Sequence, residues 1–253
     1  MRRLLFVCVL LFCRAVAFAQ DLSVAAAADL QFAFKDVAAR FEKETRHRVQ
    51  VTYGSSGNFF AQIENGAPFD LFFSADSGYP QKLEDAGLTE PGSFYPYAVG
   101  KIVLWAPKIS PLDLTQGLKV LLDPGVKKIA IANPEHAPYG RAAVSAIKHE
   151  NLYDQISGKF VMGENISQTA TFVTAGSADI GIIALSLALS PAMQNDGKYW
   201  AIPDDEYPTI EQAAVILKSS KQKESAKQFL QFMKSSSVQE IMHQYGFAMS
   251  SGK

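Results

Sequence analysis

The sequence predicts an α/β protein, and three observations carry that expectation. From Asp21 onward, apolar runs of strand length alternate with segments of helical period. The strand runs are almost continuously apolar, as in sheets covered by helices on both faces. With 253 residues, 48% of them hydrophobic and a net charge of −1, the composition is that of a compact protein. Disordered, collagen-like and strongly basic nucleic-acid-binding chains are excluded, so a partner must be sought in a site and not in bulk charge.

Strands are expected over 22–27, 48–53, 70–74, 101–106, 128–132, 159–162, 179–184, 199–202 and 213–218. A helix over 32–45 follows the first strand, because Phe34, Val37, Ala38 and Phe41 recur at helical spacing. Further helices are expected over 79–86, 221–234 and 238–245. Such alternation favours parallel sheets, in two coarse α/β units divided near Val99. Tyr95, Tyr97 and Trp105 read as packing residues flanking a strand.

The first nineteen residues read as a secretory signal. Arg2 and Arg3 precede the apolar run from Leu4 to Phe12, and Ala17-Phe18-Ala19 offers a cleavage site after Ala19. Arg14 interrupts the run, leaving it short of the roughly 20 apolar residues of a membrane span. Phe12 before Cys13 argues against lipid attachment. Cleavage removes Cys8 and Cys13, the only cysteines, and takes the net charge from −1 to −4. An exported chain without a disulfide must rely on a buried core, and the expected 234 residues suffice for one.

Four segments join a strand end to small or hydroxyl residues and a helix start. They are Ala25-Ala26-Ala27-Ala28-Asp29, Gly54-Ser55-Ser56-Gly57, Ala137-Pro138-Tyr139-Gly140 and Glu164-Asn165-Ile166-Ser167. Free N–H groups at such helix starts together suit an anion. Taken one at a time, Asp29, Ser56 and Ser167 are better explained as helix caps. The glycines of the Ser-Ser tract allow close backbone approach, but the lysine and spacing of a nucleotide phosphate loop are absent.

Support for an enzyme is thin. His47, His136, His149 and His243 show no metal-ligand spacing to one another, and no thiol survives export. His136 is the histidine to keep in view, with a structural loop role favoured. Asp70 and Asp76 read as turn and cap residues, and Asp204, Asp205 and Glu206 as a solvated loop or hinge. Arg141 reads as a solvated surface residue.

Five ordered blocks then carry a resemblance. AAAADLQFAFKDVAARFEKE, YGSSGNFFAQIENGAPFDLFFSAD, YAVGKIVLWAPK, IANPEHAPYGRAA and MHQYGF together resemble the periplasmic molybdate-binding proteins of molybdate ABC transporters across essentially the whole mature chain. The resemblance implies a two-lobed periplasmic binding fold of type II: residues 20–98 and 208–253 in lobe I, residues 99–207 in lobe II, and a ligand cleft between them. It implies no enzymatic activity and no cofactor, with molybdate or tungstate as ligand. It also implies a permease at the cytoplasmic membrane as partner, no nucleic acid, and a monomer in the periplasm.

Matched residue by residue, the family's pocket falls on Asp29, Ser56, Tyr139 and Ile166. Ser56 is expected to give hydroxyl and N–H, and Tyr139 and Ile166 their N–H groups. Ala184 stands where many members have Tyr, and Tyr139 is the candidate to replace that phenol. Ala28-Asp29 stands where many have Ser or Thr-Asn. An ionised Asp29 facing a dianion is repulsive, about 4 kcal/mol per unit-charge pair at ~4 Å and an effective dielectric of ~20. The simplest expectation is that its side chain caps its own helix while its N–H faces the ligand. The alternatives are a protonated, donating carboxyl or a different anion such as sulfate or thiosulfate, and, last, an exported hydrolase using a carboxylate or His136.

Overall fold

The computed structural model describes residues 21–249. The expected signal segment, its cleavage point and both cysteines lie outside the described residues. No helix among the described residues is long and apolar enough to cross a membrane.

Two five-stranded sheets form the frame. The first has the order β2-β1-β3-β10-β4, built from β1 (Leu22–Ala27), β2 (Val49–Gly54), β3 (Leu71–Ser74), β4 (Tyr95–Gly100) and β10 (Ile210–Ile216). The second, β7-β6-β8-β5-β9, contains β5 (Ile102–Pro107), β6 (Ile129–Ala132), β7 (Phe160–Gly163), β8 (Ile180–Ala184) and β9 (Gly197–Ala201). This is the two-lobed binding-protein fold, and all nine expected strands are present. A tenth, β4, was not expected, because its Tyr-Pro-Tyr start breaks the apolar run.

The sheets are mixed, not parallel. β1 pairs parallel with β2 and β3, and β6 with β7 and β8. β10 runs antiparallel to β3 and β4, and β5 antiparallel to β8 and β9. Strand-helix alternation reports the parallel crossovers only. β5 and β10 follow the two crossings between sheets, at Gly100–Lys101 and within 202–209, and each enters its new sheet against the prevailing direction.

Each sheet has its own packing. α1 (Gln31–Thr45) buries Ala33, Phe34, Val37, Ala38 and Phe41, the expected stripe, and ends at Arg46 with a left-handed φ of 65°. Phe34 meets Phe73 of β3 edge to face at 4.8 Å, and Phe41 meets Phe229 of α8 (Lys223–Met233) at 5.0 Å. The C-terminal α8 and α9 (Ser236–Gln244) thus close the first sheet. In the second core, Trp105 is buried with Ile131, Ile147 and Ile182.

The crossings are tied to each other. Lys101 Nζ lies 2.8 Å from Asp204 Oδ2, and Tyr207 donates to Asp204 Oδ1 at 3.1 Å. The acidic 204–206 loop therefore stands at the junction of the two sheets, and its first carboxylate bonds the other crossing.

Candidate functional site

Helix starts converge between the two sheets because each follows the carboxyl end of a strand. α2 (Ser56–Glu64) follows β2, α4 (Pro138–His149) follows β6, and α6 (Ile166–Thr174) follows β7, while a single 3-10 turn (Ala28–Leu30) follows β1. Their first residues line one small pocket: Asp29, Ser56, Tyr139 and Ile166, with short-walled Ala27, Ala28, Ala75 and Ala137. The structure thus brings together all four residues that the resemblance singled out. About 10 Å³ of free space remains there, roughly the room of one water.

The capping residues precede the expected ones by one position in α2 and by two in α6. Ser55, not Ser56, caps α2 by accepting from the Asn58 N–H at 3.3 Å. Asn165, not Ser167, caps α6 by accepting from the Gln168 N–H at 2.9 Å. A cap serves the third N–H of its helix and leaves the first ones without intrahelical acceptors. Ser56 and Ile166 occupy first positions and Tyr139 a second, so their N–H groups are the ones left for the pocket. Ser56 is fully buried, and its Oγ accepts from the Ala75 N–H at 2.9 Å, which leaves its hydroxyl proton to donate elsewhere.

Asp29 departs from the expectation. Its carboxylate caps no helix. Oδ2 instead accepts from the Tyr139 hydroxyl at 2.9 Å and from Gln212 Nε2 at 2.7 Å, while Oδ1 is buried without a hydrogen-bond partner. The longer reach across to α4 and β10 wins because two neutral donors stand there already. Asp29 is 1% exposed, and burial pushes its carboxyl up to about 6, against the opposing pull of Gln212, Tyr139 and its own N–H. The Tyr139 phenol is likewise engaged by Asp29 and Gln212 and does not stand free to replace the one missing at Ala184. Burial and the Asp29 charge hold that phenol well above its ordinary range.

Gln212 escaped the sequence reading. Fully buried in β10, it also takes a hydrogen bond of 2.7 Å on Oε1 from Tyr97 of β4. The pairing of β10 with β4 shifts register between Gln212 and Ala213, a bulge of the kind that re-aims a side chain. A polar residue interrupting the apolar IEQAAVI run was the available signal. Gly100 completes the cluster, since a Cβ there would stand 2.1 Å from the Tyr139 hydroxyl.

Other contacts close the cleft around the pocket. The Gly57 N–H donates to the His136 carbonyl at 2.9 Å, and His136 Nδ1 lies 3.0 Å from Ser55 Oγ. Ser186 donates to the Asp29 carbonyl at 2.8 Å, and Ser167 to Gln31 Oε1 at 2.6 Å. Arg141 stands exposed at the surface, as expected, and there pairs with Asp76 and leans over the Tyr79 ring. Asp76 also accepts from the Tyr79 N–H, the expected cap, whereas Asp70 accepts from Ser23 and Ser220 to bind β1 to the segment after β10. His149, Glu150 and Glu206 are the group among the described residues compact enough for a cation, and they sit at the far end of α4 from the pocket.

The family model of bacterial extracellular solute-binding proteins matches residues 22–248. The molybdate-binding protein ModA of Azotobacter vinelandii is 40% identical over 231 residues, covering 91% of each chain. That of Rhodobacter capsulatus is 37% identical, over 90% of this chain and 88% of its own. The solved structure of an A. vinelandii periplasmic molybdate-binding protein superimposes with a TM-score of 0.86 at 38% identity, over 90% of this chain and 99% of that one. The chain therefore belongs to the bacterial extracellular solute-binding protein family, alongside its molybdate-binding members.

Proposed function

We propose that this protein is the binding component of an ABC importer, carrying molybdate and tungstate to a membrane permease outside the cytoplasm. The observation that carries the reading is the convergence of Ser56, Tyr139 and Ile166 from three helix starts on one buried pocket. Such a site binds an anion with neutral dipoles. Each hydrogen bond to the charged group contributes roughly 1.5–3 kcal/mol, and several together hold it tightly without a cation. Fixed donors favour the larger tetrahedral anions over sulfate, which would leave bonds unmade. The relatives are binding proteins, which supports assigning carriage and not turnover.

In this reading residues 20–98 and 208–253 form lobe I and residues 99–207 lobe II. The lobes rotate about the two crossings, and closure presents the surface that the permease recognises. The signal is cleaved after Ala19, and the mature chain acts as a periplasmic monomer without nucleic acid. Asp29, Ser56, Tyr139 and Ile166 form the ligand set, Asp29 through its backbone and, as argued below, its proton.

Thermal unfolding of the signal-free protein with molybdate, tungstate, sulfate, thiosulfate and phosphate tests the reading. A ligand at 100 times its Kd adds about 2.7 kcal/mol. Stabilisation by molybdate and tungstate is expected; stabilisation by sulfate or thiosulfate alone would assign the fold to another anion.

A further inference from the structure

We propose that the pocket takes up one proton together with its oxyanion, and that the proton rests on the Asp29 carboxyl within the cluster it forms with Tyr139 and Gln212. This rests on the oxyanion reading above and goes beyond it by naming a second ligand, taken from solvent.

Charge makes the case first. Asp29 lines the pocket beside Ser56 and Ile166, and none of the residues around the pocket is basic. The nearby cations are committed elsewhere, Arg141 to Asp76 and Lys101 to Asp204. A dianion entering here would face an ionised carboxylate with no countercharge in the pocket, the most costly arrangement that burial offers. A proton on Asp29 removes that repulsion at its source.

The hydrogen-bond pattern fits the neutral acid. Oδ2 is satisfied by two neutral donors, the Tyr139 hydroxyl and Gln212 Nε2, whereas Oδ1 has no partner. As an ionised oxygen Oδ1 is an orphan acceptor. Protonated, it becomes a donor with no protein acceptor, and an anion oxygen in the same pocket supplies one.

None of the side chains bonded to the Asp29 carboxyl competes for the proton near neutrality, and His136, held by Ser55 and Glu164 at the edge of the pocket, is told apart by the Asp29→Asn comparison below. Tyr139 from α4 and Tyr97 from β4 are held well above the ordinary phenol range by burial and by the Asp29 charge, and Tyr207 from the crossing is raised as well. Gln212 from β10 does not titrate, and Ser186 offers only its hydroxyl, to the Asp29 carbonyl. Asp76, beyond β3, is met by Arg141. Burial, outweighing the pull of Gln212, Tyr139 and its own N–H, brings Asp29 to about 6, and a dianion beside it raises it further. The sign follows: affinity is full below about pH 6 and weakens above it, by up to tenfold per pH unit, until the pKa of the complex is passed.

Calorimetric titration of sodium molybdate into the signal-free protein, in buffers of differing ionisation heat at about pH 7.5, counts the protons directly. The expected result is uptake approaching one proton per anion, with Kd weakening towards tenfold per unit at higher pH. Asp29→Asn keeps the shape and the acceptor, and should bind with no proton uptake and a flat pH profile. Tight wild-type binding without proton uptake overturns the proposal alone, as does unchanged uptake in Asp29→Asn. Absence of molybdate binding in both proteins at every pH overturns the oxyanion reading, and this proposal with it.

Discussion

The Tyr139 hydroxyl donates to the Asp29 carboxylate at 2.9 Å, joining the start of α4 on one sheet to the turn after β1 on the other. Both side chains are almost fully buried, and with the bonds from Gly57 to His136, Ser186 to Asp29 and Ser167 to Gln31 this one fixes how the two halves of the pocket meet. It also ties the pocket to the junction of the two sheets, because Gln212, which bonds both, stands on β10 shortly after the second crossing.

Asp29 makes stability depend on pH. Its carboxyl is raised by burial from 3.8 to about 6, so between those values the folded protein holds more protons than the unfolded chain. Stability therefore falls as pH rises through that window, by about 3 kcal/mol in all. Asp29→Asn should remove the fall and be the more stable protein at about pH 7.5, with a smaller difference at about pH 4. Urea unfolding at a series of pH values measures this; parallel wild-type and variant curves would contradict it.

Gly100 should tolerate no side chain. A Cβ there would meet the Tyr139 hydroxyl at 2.1 Å and Gln212 Nε2 at 2.8 Å, and neither buried group has room to retreat. Gly100→Ala should cost about 1–3 kcal/mol as an overpacking change and widen the cleft, seen as a larger radius of gyration in small-angle scattering. Adding Tyr139→Phe removes the atom struck first and should restore part of the loss, so the two effects should not add.

Tyr139→Phe alone removes a donor from Asp29 Oδ2 and an acceptor from Gln212. A loss of about 1–3 kcal/mol in unfolding free energy is expected. Because the Tyr139 bond holds the Asp29 carboxyl down, its loss should also move the pH window of the stability fall upward, which the same urea series reads.

What was legible in the sequence was whatever depends on local pattern. The stripe Phe34, Val37, Ala38 and Phe41 marked α1, and nine apolar runs marked nine strands. The order of the helix starts carried the pocket, because N-terminal N–H groups need only a strand end and a short residue before them. The antiparallel entries of β5 and β10 were not legible, since strand direction is set by where a crossing lands. Nor was Gln212, whose partners Asp29 and Tyr139 lie 183 and 73 residues away. The capping role expected of Asp29 failed for the same reason: its competing donors come from distant chain.

Ser56→Ala tests the anion pocket itself. The hydroxyl proton of Ser56 is free to donate while its oxygen accepts from Ala75. Its removal should weaken molybdate binding by about tenfold to a hundredfold, the worth of one hydrogen bond to a charged group. The change also leaves the buried Ala75 N–H unpaired, so some loss of stability is expected beside it. Unchanged affinity by titration would remove Ser56 from the ligand set.

The most direct measurement is equilibrium dialysis of the signal-free protein against molybdate in a large excess of sulfate, with bound molybdenum then counted per chain. A single pocket of fixed neutral donors, sized for the larger anion, predicts close to one molybdate retained per chain despite the sulfate. Molybdate displaced by sulfate, or none retained in its absence, would contradict that assignment.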